Sequence, residues 1–255
     1  MRIVSWNING IRAAVKKQIL PSLTALNADI ICFQETKAAP DQIPVEILSL
    51  EGYQSVFELG ERKGYSGVGT LCRIPFKTVG RSLEADEGFD SEGRILITEH
   101  PDFLLYNIYF PNGQKDEIRL DYKLRFYDAA LCLWKKRLQE GKEIVICGDF
   151  NTAHREIDIA RPKENEMVSG FLKVERDWMD TLEDAGFIDT FRHLHPDQRD
   201  AYTWWSMRTN ARIRNTGWRL DYFYVSPRMG KRIRKAEILS EIAGSDHCPV
   251  LLELA

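Results

Sequence analysis

The sequence predicts a layered α/β sandwich, with two β-sheets packed face to face and helices on the outside. Short apolar runs rich in β-branched residues, such as Ile144-Val145-Ile146-Cys147 and Ile30-Ile31-Cys32-Phe33, read as strands buried on both faces. Helical stretches with an apolar stripe alternate with them, the longest from Glu117 to Gln139. The strands also carry polar ends: Asn7, Glu35, Asp149 and Asn151 follow theirs, while Asp221, Asp246 and His247 precede theirs. If the two groups run antiparallel within packed sheets, all of these side chains fall on a single rim.

Taken in order, Ile3-Val4-Ser5-Trp6 is a short strand, followed by Asn7-Ile8-Asn9-Gly10. Ile11, Val15, Ile19, Leu23 and Leu26 recur close to the helical period. The strand Ile30 to Phe33 ends in Gln34-Glu35-Thr36-Lys37, and a short helix is expected near Ile43 to Leu50. Gly60 to Gly69 reads as a glycine-punctuated hairpin loop with Tyr65 near its tip; the GxxxxGK[ST] spacing of a phosphate-cradling loop is absent. Strands follow at Arg94 to Thr98 and Phe103 to Phe110, the second with the weak alternation of a buried strand. Pro111-Asn112-Gly113 turns the chain. In the long helix, Leu120, Leu124, Tyr127, Leu131, Trp134 and Leu138 form the stripe, and Lys135-Lys136-Arg137 complements the helix dipole.

The central strand then leads into Gly148-Asp149-Phe150-Asn151-Thr152-Ala153-His154. Arg155 to Leu172 is a long irregular segment, a kind that in a compact domain carries function more often than not. A helix with Val174, Trp178 and Leu182 ends at Gly186. Thr203 to Arg219 combines Trp204, Trp205 and Trp218 with Arg208, Arg212, Arg214 and Arg219 and has no acidic residue. That mixture suits stacking and phosphate contact, and equally a loop packed by its own tryptophans with solvated arginines. Asp221 opens the strand Tyr222 to Val225, and the basic run Arg228 to Lys235 reads as solvated surface. Gly244-Ser245-Asp246-His247-Cys248-Pro249 opens the last strand, Val250 to Leu254.

With 255 residues, 44% hydrophobic and 29% charged, the chain suits one globular domain over 1–255. A net charge of −3 excludes a uniformly basic nucleic-acid coat, so a polyanion must be met by a local patch. The five cysteines form no Cys-x-x-Cys pair, and Cys32, Cys132 and Cys147 lie in apolar runs, as buried thiols in a reducing compartment do. Met1-Arg2-Ile3-Val4 enters a strand directly, leaving no room for a signal peptide, and no apolar run reaches the roughly 20 residues of a membrane span. The expectation is a soluble cytoplasmic monomer, associated with the nucleoid if the source is prokaryotic.

Each rim residue alone has a bland reading: Asp149 and Asn151 as an Asx turn, Glu35 as a surface residue. Together, Glu35, Asp149, Asp221 and Asp246 with carboxamides and His247 on one rim are costly unless a cation or substrate neutralises them. Oxygen donors without a Cys/His cage favour Mg²⁺ or Mn²⁺ over zinc. A hard cation beside a carboxylate base and a histidine is equipment for attack on a phosphodiester.

Several motifs carry a resemblance. Ser5 to Ala13, Gln34-Glu35-Thr36-Lys37, Lys63-Gly64-Tyr65-Ser66-Gly67, Gly148 to His154, Asn215 to Phe223 and Gly244 to Val250 span nearly the whole chain. In this order they are similar to those of the exonuclease III family of apurinic/apyrimidinic endonucleases, within the endonuclease/exonuclease/phosphatase superfamily. The resemblance implies a four-layered α/β/β/α sandwich of two mixed sheets and Mg²⁺-dependent incision of double-stranded DNA 5′ to an abasic site. It implies Glu35 as metal ligand with Asp246 and Asn7 nearby, Asp149 handling the attacking water, and Asn151 positioning that water. His247 would contact the scissile phosphate, oriented by Asp221, with Tyr109 supporting the developing charge. Trp204, Trp218 and Leu220 match the pocket for a flipped, base-free sugar. Tyr65, Lys115 and Arg208 match groove-contacting loops, and Asn165 matches a phosphate contact. Three positions depart from the pattern: Asn9 and Val168 replace an Asp of some relatives and an Asn of many, and Trp204 is Phe in some. A phosphoesterase of the superfamily acting on a phospholipid or inositol phosphate would share Glu35, Asp149, Asn151 and His247 but has no need of the Trp/Arg loop. A DNA-binding scaffold without catalysis would have no need of the filled rim.

Overall fold

The computed structural model describes residues 1–85 and 88–255. The elements run β1 Arg2–Asn7, α1 Ile11–Lys16, α2 Ile19–Leu26, β2 Ile30–Gln34, α3 Val45–Leu48, β3 Gln54–Glu58, β4 Val68–Cys72, β5 Lys77–Gly80, β6 Ile95–Glu99 and β7 Leu104–Tyr109. They continue α4 Glu117–Gln139, β8 Ile144–Asp149, α5 Pro162–Asn165, α6 Lys173–Asp184, β9 Ile188–Asp189, α7 Thr190–Leu194, β10 Asp221–Val225, β11 Ile233–Ile238 and β12 Val250–Leu254.

The apolar runs pair into two six-stranded sheets, ordered β11-β12-β1-β2-β4-β3 and β5-β6-β7-β8-β10-β9. Each sheet has one parallel pair, β1–β2 or β7–β8, flanked by antiparallel neighbours. Along β1, Ile3 points into the layer between the sheets with Cys32, Leu105, Val145, Cys147 and Leu252, while Val4 and Trp6 pack outward under α1 and α2. On the other outer face α4 and α6 cover Tyr106, Ile108, Ile146 and Tyr224. The result is the four-layered α/β/β/α sandwich, and it explains why the strands are apolar at consecutive positions. Among the described residues no helix is long and apolar enough to cross a membrane.

The departures from the sequence reading have local causes. The helical stretch from Ile11 breaks into α1 and α2, because Gln18 is left-handed (φ 61°) and Pro21 in the first turn of α2 could not continue a helix from α1. The helix expected near Ile43 to Leu50 is a single turn, and the irregular segment 155–172 contains the short α5. Cys132 is exposed rather than buried, since the helical period turns it away from its buried neighbours Leu131 and Leu133. The basic run after Pro227 is not only solvated surface: it enters β11, whose exposed Arg234 and partly exposed Lys235 suit an edge strand that must not recruit another chain.

Chain direction fixes the rim. β1, β2, β7 and β8 end where β10 and β12 begin, so the polar residues that follow the first four meet those that open the last two. Register sharpens this: Asp149 lies opposite Tyr109 on β7 and opposite Asp221 on β10. Just before it, Gly148 (φ 139°) lets β7 approach, since a Cβ there would stand 1.8 Å from Ile108 O.

Candidate active site

Asp149 is the centre of the rim and 1% exposed. Asn7 Nδ2 donates to Asp149 Oδ2 and to Glu35 Oε1, both at 2.9 Å, holding a carboxylate from each sheet in one place. Glu35 (φ 52°) and Asn151 (φ 52°) both adopt left-handed backbone, which costs a non-glycine residue energy and is typical of functional positions. Asn151 N donates to Asp149 Oδ1 at 2.8 Å, while its amide donates to Phe110 O and accepts from Asn112 Nδ2 at 3.0 Å. His247 Nδ1 pairs with Asp221 Oδ2 at 2.8 Å, leaving Nε2 on the cleft side, 3.8 Å from Asp149 Oδ2. Ligand atoms of Glu35, Asp149 and His247 lie within 4.8 Å of one another. Asp246 is beside this trio rather than within it, accepting from Asn9 Nδ2 at 2.9 Å and Trp204 Nε1 at 3.2 Å. Lys37 Nζ reaches Glu35 Oε2 and Asn9 Oδ1, each at 2.5 Å.

Burial, together with the Asp221 and Glu35 charges, pushes the Asp149 carboxyl up to about 7, with His247 opposing. For His247 burial acts downward, but Asp221 and Asp149 outweigh it and raise the imidazole to about 10. Tyr109 is pushed well above the usual phenol range by burial and by Glu35, so it stays a neutral O–H. Asp246 is held below its ordinary value despite burial, by His247 and by the Asn9 and Trp204 donors.

These groups open into a cleft of about 430 Å³. Its lining includes Glu35, Tyr109, Asp149, Asn151, Asp246 and His247, together with Asn165, Gly170, Trp204, Trp218 and Leu220. Asn7 and Asp221 are buried behind the rim and line no part of it, as suits groups that orient others. Tyr65 and Lys115 line a neighbouring groove of about 910 Å³ that shares Asn112 and Gln114 with the cleft. There the Tyr65 hydroxyl accepts from Arg94 at 2.7 Å and Arg119 at 2.9 Å. Arg208 is exposed and lines neither, and the Asn165 amide is turned to Arg161 O at 2.7 Å.

The open reading of the 203–219 loop resolves towards packing. The arginines of the 203–219 loop are mostly structural: Arg212 stacks on Trp205 and donates to the carbonyls of Ser240, Ile242 and Ser245, Arg214 donates to Thr209 O, and Arg219 is buried against Asp158 and Asp189. Trp205 is buried too, its Nε1 bonded to Asn215. His154 turns away from the rim to Asp180 and Glu183 on α6. One supporting residue was missed. Lys123, fully buried, donates to Asn151 O, Thr152 Oγ1 and Glu175, bracing the backbone beneath the site. Its signal was a lysine at the i+3 position of the apolar stripe begun by Leu120.

Comparison with known proteins agrees with this geometry. Residues 4–247 match the Endonuclease/Exonuclease/phosphatase family. The chain belongs to that family. It is 41% identical to the DNA repair nuclease APEX1 of Danio rerio, over 100% of this chain and 82% of that protein. It is 40% identical to an exodeoxyribonuclease of Bacillus subtilis, over 99% of this chain and 98% of that protein. Among solved structures, the 3′-5′ exonuclease NExo of Neisseria meningitidis superposes with a TM-score of 0.90 at 28% identity, covering 100% of this chain and 99% of that one.

Proposed function

We propose that the protein is a Mg²⁺-dependent phosphodiesterase, with Mn²⁺ as a substitute, that incises double-stranded DNA 5′ to abasic sites. It leaves a 3′-hydroxyl and a 5′-deoxyribose phosphate, and the same site trims 3′ termini as a 3′→5′ exonuclease and 3′-phosphatase. The observation that carries this reading is one cleft lined both by the acidic rim and by the apolar side chains of Trp204, Trp218 and Leu220. An apolar pocket admits a base-free sugar, and an unpaired site is cheap to extrude from the duplex. Hydrolysis of an inositol or lipid phosphate has no need of that apolar wall.

The donor set fits a hard cation. The Asp149 carboxyl, raised by burial and by the neighbouring Asp221 and Glu35 charges, and a buried Asp221 Oδ1 without a hydrogen-bond partner, are relieved by positive charge. Glu35 would hold the ion, with Asp246 and Asn7 beside it. When bound, the ion neutralises charge on the phosphate and polarises it. Asp149 accepts the proton of the attacking water, which the Asn151 side chain positions. His247, fixed by Asp221, presents Nε2 to a phosphate oxygen, and Tyr109 donates its O–H where negative charge develops. Lys115 and Tyr65, in the adjoining groove, contact the DNA beside the cleft, and Asn165 and Arg208 reach it once their side chains turn from their present positions.

The deciding experiment is gel analysis of duplexes carrying an abasic site, uracil, a nick or a 3′-phosphate, with EDTA and with Mg²⁺. Incision at the abasic duplex should vanish in EDTA and return with Mg²⁺, and Glu35→Ala should raise the Mg²⁺ concentration required. Full activity in chelator sinks the metal reading; no cleavage of any DNA sinks the functional one.

The wall makes a separate prediction. Trp218→Ala opens space beside Gly170, where Trp218 Cζ3 lies 3.1 Å from the position a Cβ would take, and replaces no residue of the rim. The ratio of kcat/KM on base-bearing to abasic substrate should rise roughly tenfold, the usual scale for a change of pocket size. An unchanged ratio with a lowered melting temperature would mean that Trp218 only holds its loop together.

A further inference from the structure

Trp204 belongs to two parts of the cleft at once. Its ring stands edge-on to Trp218, with centroids 6.2 Å apart at 86°, and packs with Ala153, Ile159, Phe171 and Leu220. Its indole Nε1 donates to Asp246 Oδ2 at 3.2 Å. The backbone locks the two together. Trp204 bridges His247, Trp205 N donates to Asp246 O at 3.0 Å, and Trp204 and Trp218 exchange N–H···O bonds of 2.9 and 3.0 Å. The indole therefore cannot leave Asp246 without disturbing the pocket wall. On the other side, Asp246 Oδ1 accepts from Asn9 Nδ2 at 2.9 Å and Ser245 Oγ at 3.1 Å. Trp204 is thus the donor that holds Oδ2, and with it the rotation of the carboxylate about its Cβ–Cγ bond.

We infer that Trp204 is a positioning residue for the metal rim, its indole N–H orienting Asp246 toward the cation while its ring walls the sugar pocket. The inference rests on the proposed function, in which Asp246 stands beside the ion. Phenylalanine at this position keeps an aromatic wall and removes the donor, so the two duties separate in one substitution. With Oδ2 released, Asp246 keeps its two bonds on Oδ1 but loses the constraint that aims the second oxygen. Hydrogen-bond partners of ligating carboxylates typically shift metal affinity by about 10–100-fold when removed. The indole is only part-buried here, which places the expected effect at the lower end of that range.

The test is Mn²⁺ binding to the metal-free protein without DNA, read as free Mn²⁺ by electron paramagnetic resonance. Wild type, Trp204→Phe, Asp246→Asn and the double variant are compared, with Glu35→Ala as the disrupted reference and a thermal melt of each. Trp204→Phe should weaken Mn²⁺ binding about tenfold. The double variant should bind no more weakly than Asp246→Asn alone, because the indole acts only through Asp246. An unchanged Mn²⁺ affinity in Trp204→Phe beside a weakened Asp246→Asn overturns the inference and leaves the proposed function standing; so does strict additivity in the double variant. An Asp246→Asn protein that binds Mn²⁺ like wild type, while Glu35→Ala does not, removes Asp246 from the metal reading and the inference with it. A loss of melting temperature in Trp204→Phe with unchanged Mn²⁺ affinity is the mark of a purely structural tryptophan.

Discussion

Replacing Asp149 with Asn is expected to lower kcat on an abasic duplex by about 10²–10⁴, the usual worth of a positioned general base, with little change in duplex binding. The substitution keeps the shape of the side chain and an oxygen for the Asn151 N–H now 2.8 Å from Oδ1. What it removes is the carboxylate proposed to take the water proton. It also removes a charge that the folded protein tolerates poorly. Burial, Asp221 and Glu35 push the Asp149 carboxyl up to about 7, so without metal the native state holds this proton more tightly than the unfolded chain does. A raised carboxyl makes stability fall as pH climbs from the unfolded value of about 4 towards the folded one. The neutral variant escapes that loss. In EDTA the melting temperature of the wild type relative to the variant should therefore fall as pH rises from 4 to 8. This comes on top of a pH-independent cost of turning an amide NH2 towards Asn7 Nδ2, which in the wild type donates to Asp149 Oδ2 at 2.9 Å. Single-turnover cleavage, duplex affinity and thermal melts at both pH values check this. Unchanged turnover would assign the base elsewhere; a lower melt with lost binding would make Asp149 a scaffold residue.

The contrast between what was legible in the sequence and what was not follows the range of the interactions. Ile30 to Phe33 and Ile144 to Cys147 announced buried strands because burial on both faces writes itself into consecutive positions. α4 was legible to the residue, since its cap Asp116 and its stripe are local. The rim followed from polar residues at strand ends, which needed only chain direction. Register did not follow: that Asp149 lies between Tyr109 and Asp221 depends on pairing across tens of residues. Nor did the fate of the loop arginines, because an exposed arginine and one buried against Asp158 look alike in one dimension. The edge strands β5, β9 and β11 escaped for the opposite reason to the core strands: they are short, polar or both.

The network around Asp158 should show the largest effect on stability. Asp158 is fully buried and accepts from Arg219 Nε at 2.8 Å and from Arg192 Nη2 at 2.5 Å, while Arg219 also pairs with Asp189 at 2.8 Å. Its oxygens also take the Arg155 N–H, and its backbone carbonyl takes that of Arg219, so it ties the 155–172 segment to the loop bearing Trp218 and Leu220. Asp158→Ala leaves the buried guanidiniums of Arg192 and Arg219 short of a counter-charge, a change that typically costs about 3–5 kcal/mol. Against a typical stability of about 5–15 kcal/mol, that is a large share of the whole. The pH dependence gives the sign. Burial alone would raise the Asp158 carboxyl, but Arg219 and Arg192 hold it well below the usual range. A depressed carboxyl contributes stability that is complete above the unfolded value of about 4 and is lost as pH falls towards the folded one. Wild type should therefore lose stability below about pH 4, while Asp158→Ala, already without this contribution, declines less over the same window. Urea denaturation of both proteins at pH 7 and at a series of acidic pH values measures the difference. Because Arg219 adjoins Leu220, the proposed preference for abasic over base-bearing DNA should weaken in the variant even at temperatures where it remains folded. A loss below about 1 kcal/mol at pH 7, the worth of an exposed pair, would show that Asp189 and solvent satisfy the arginines without Asp158.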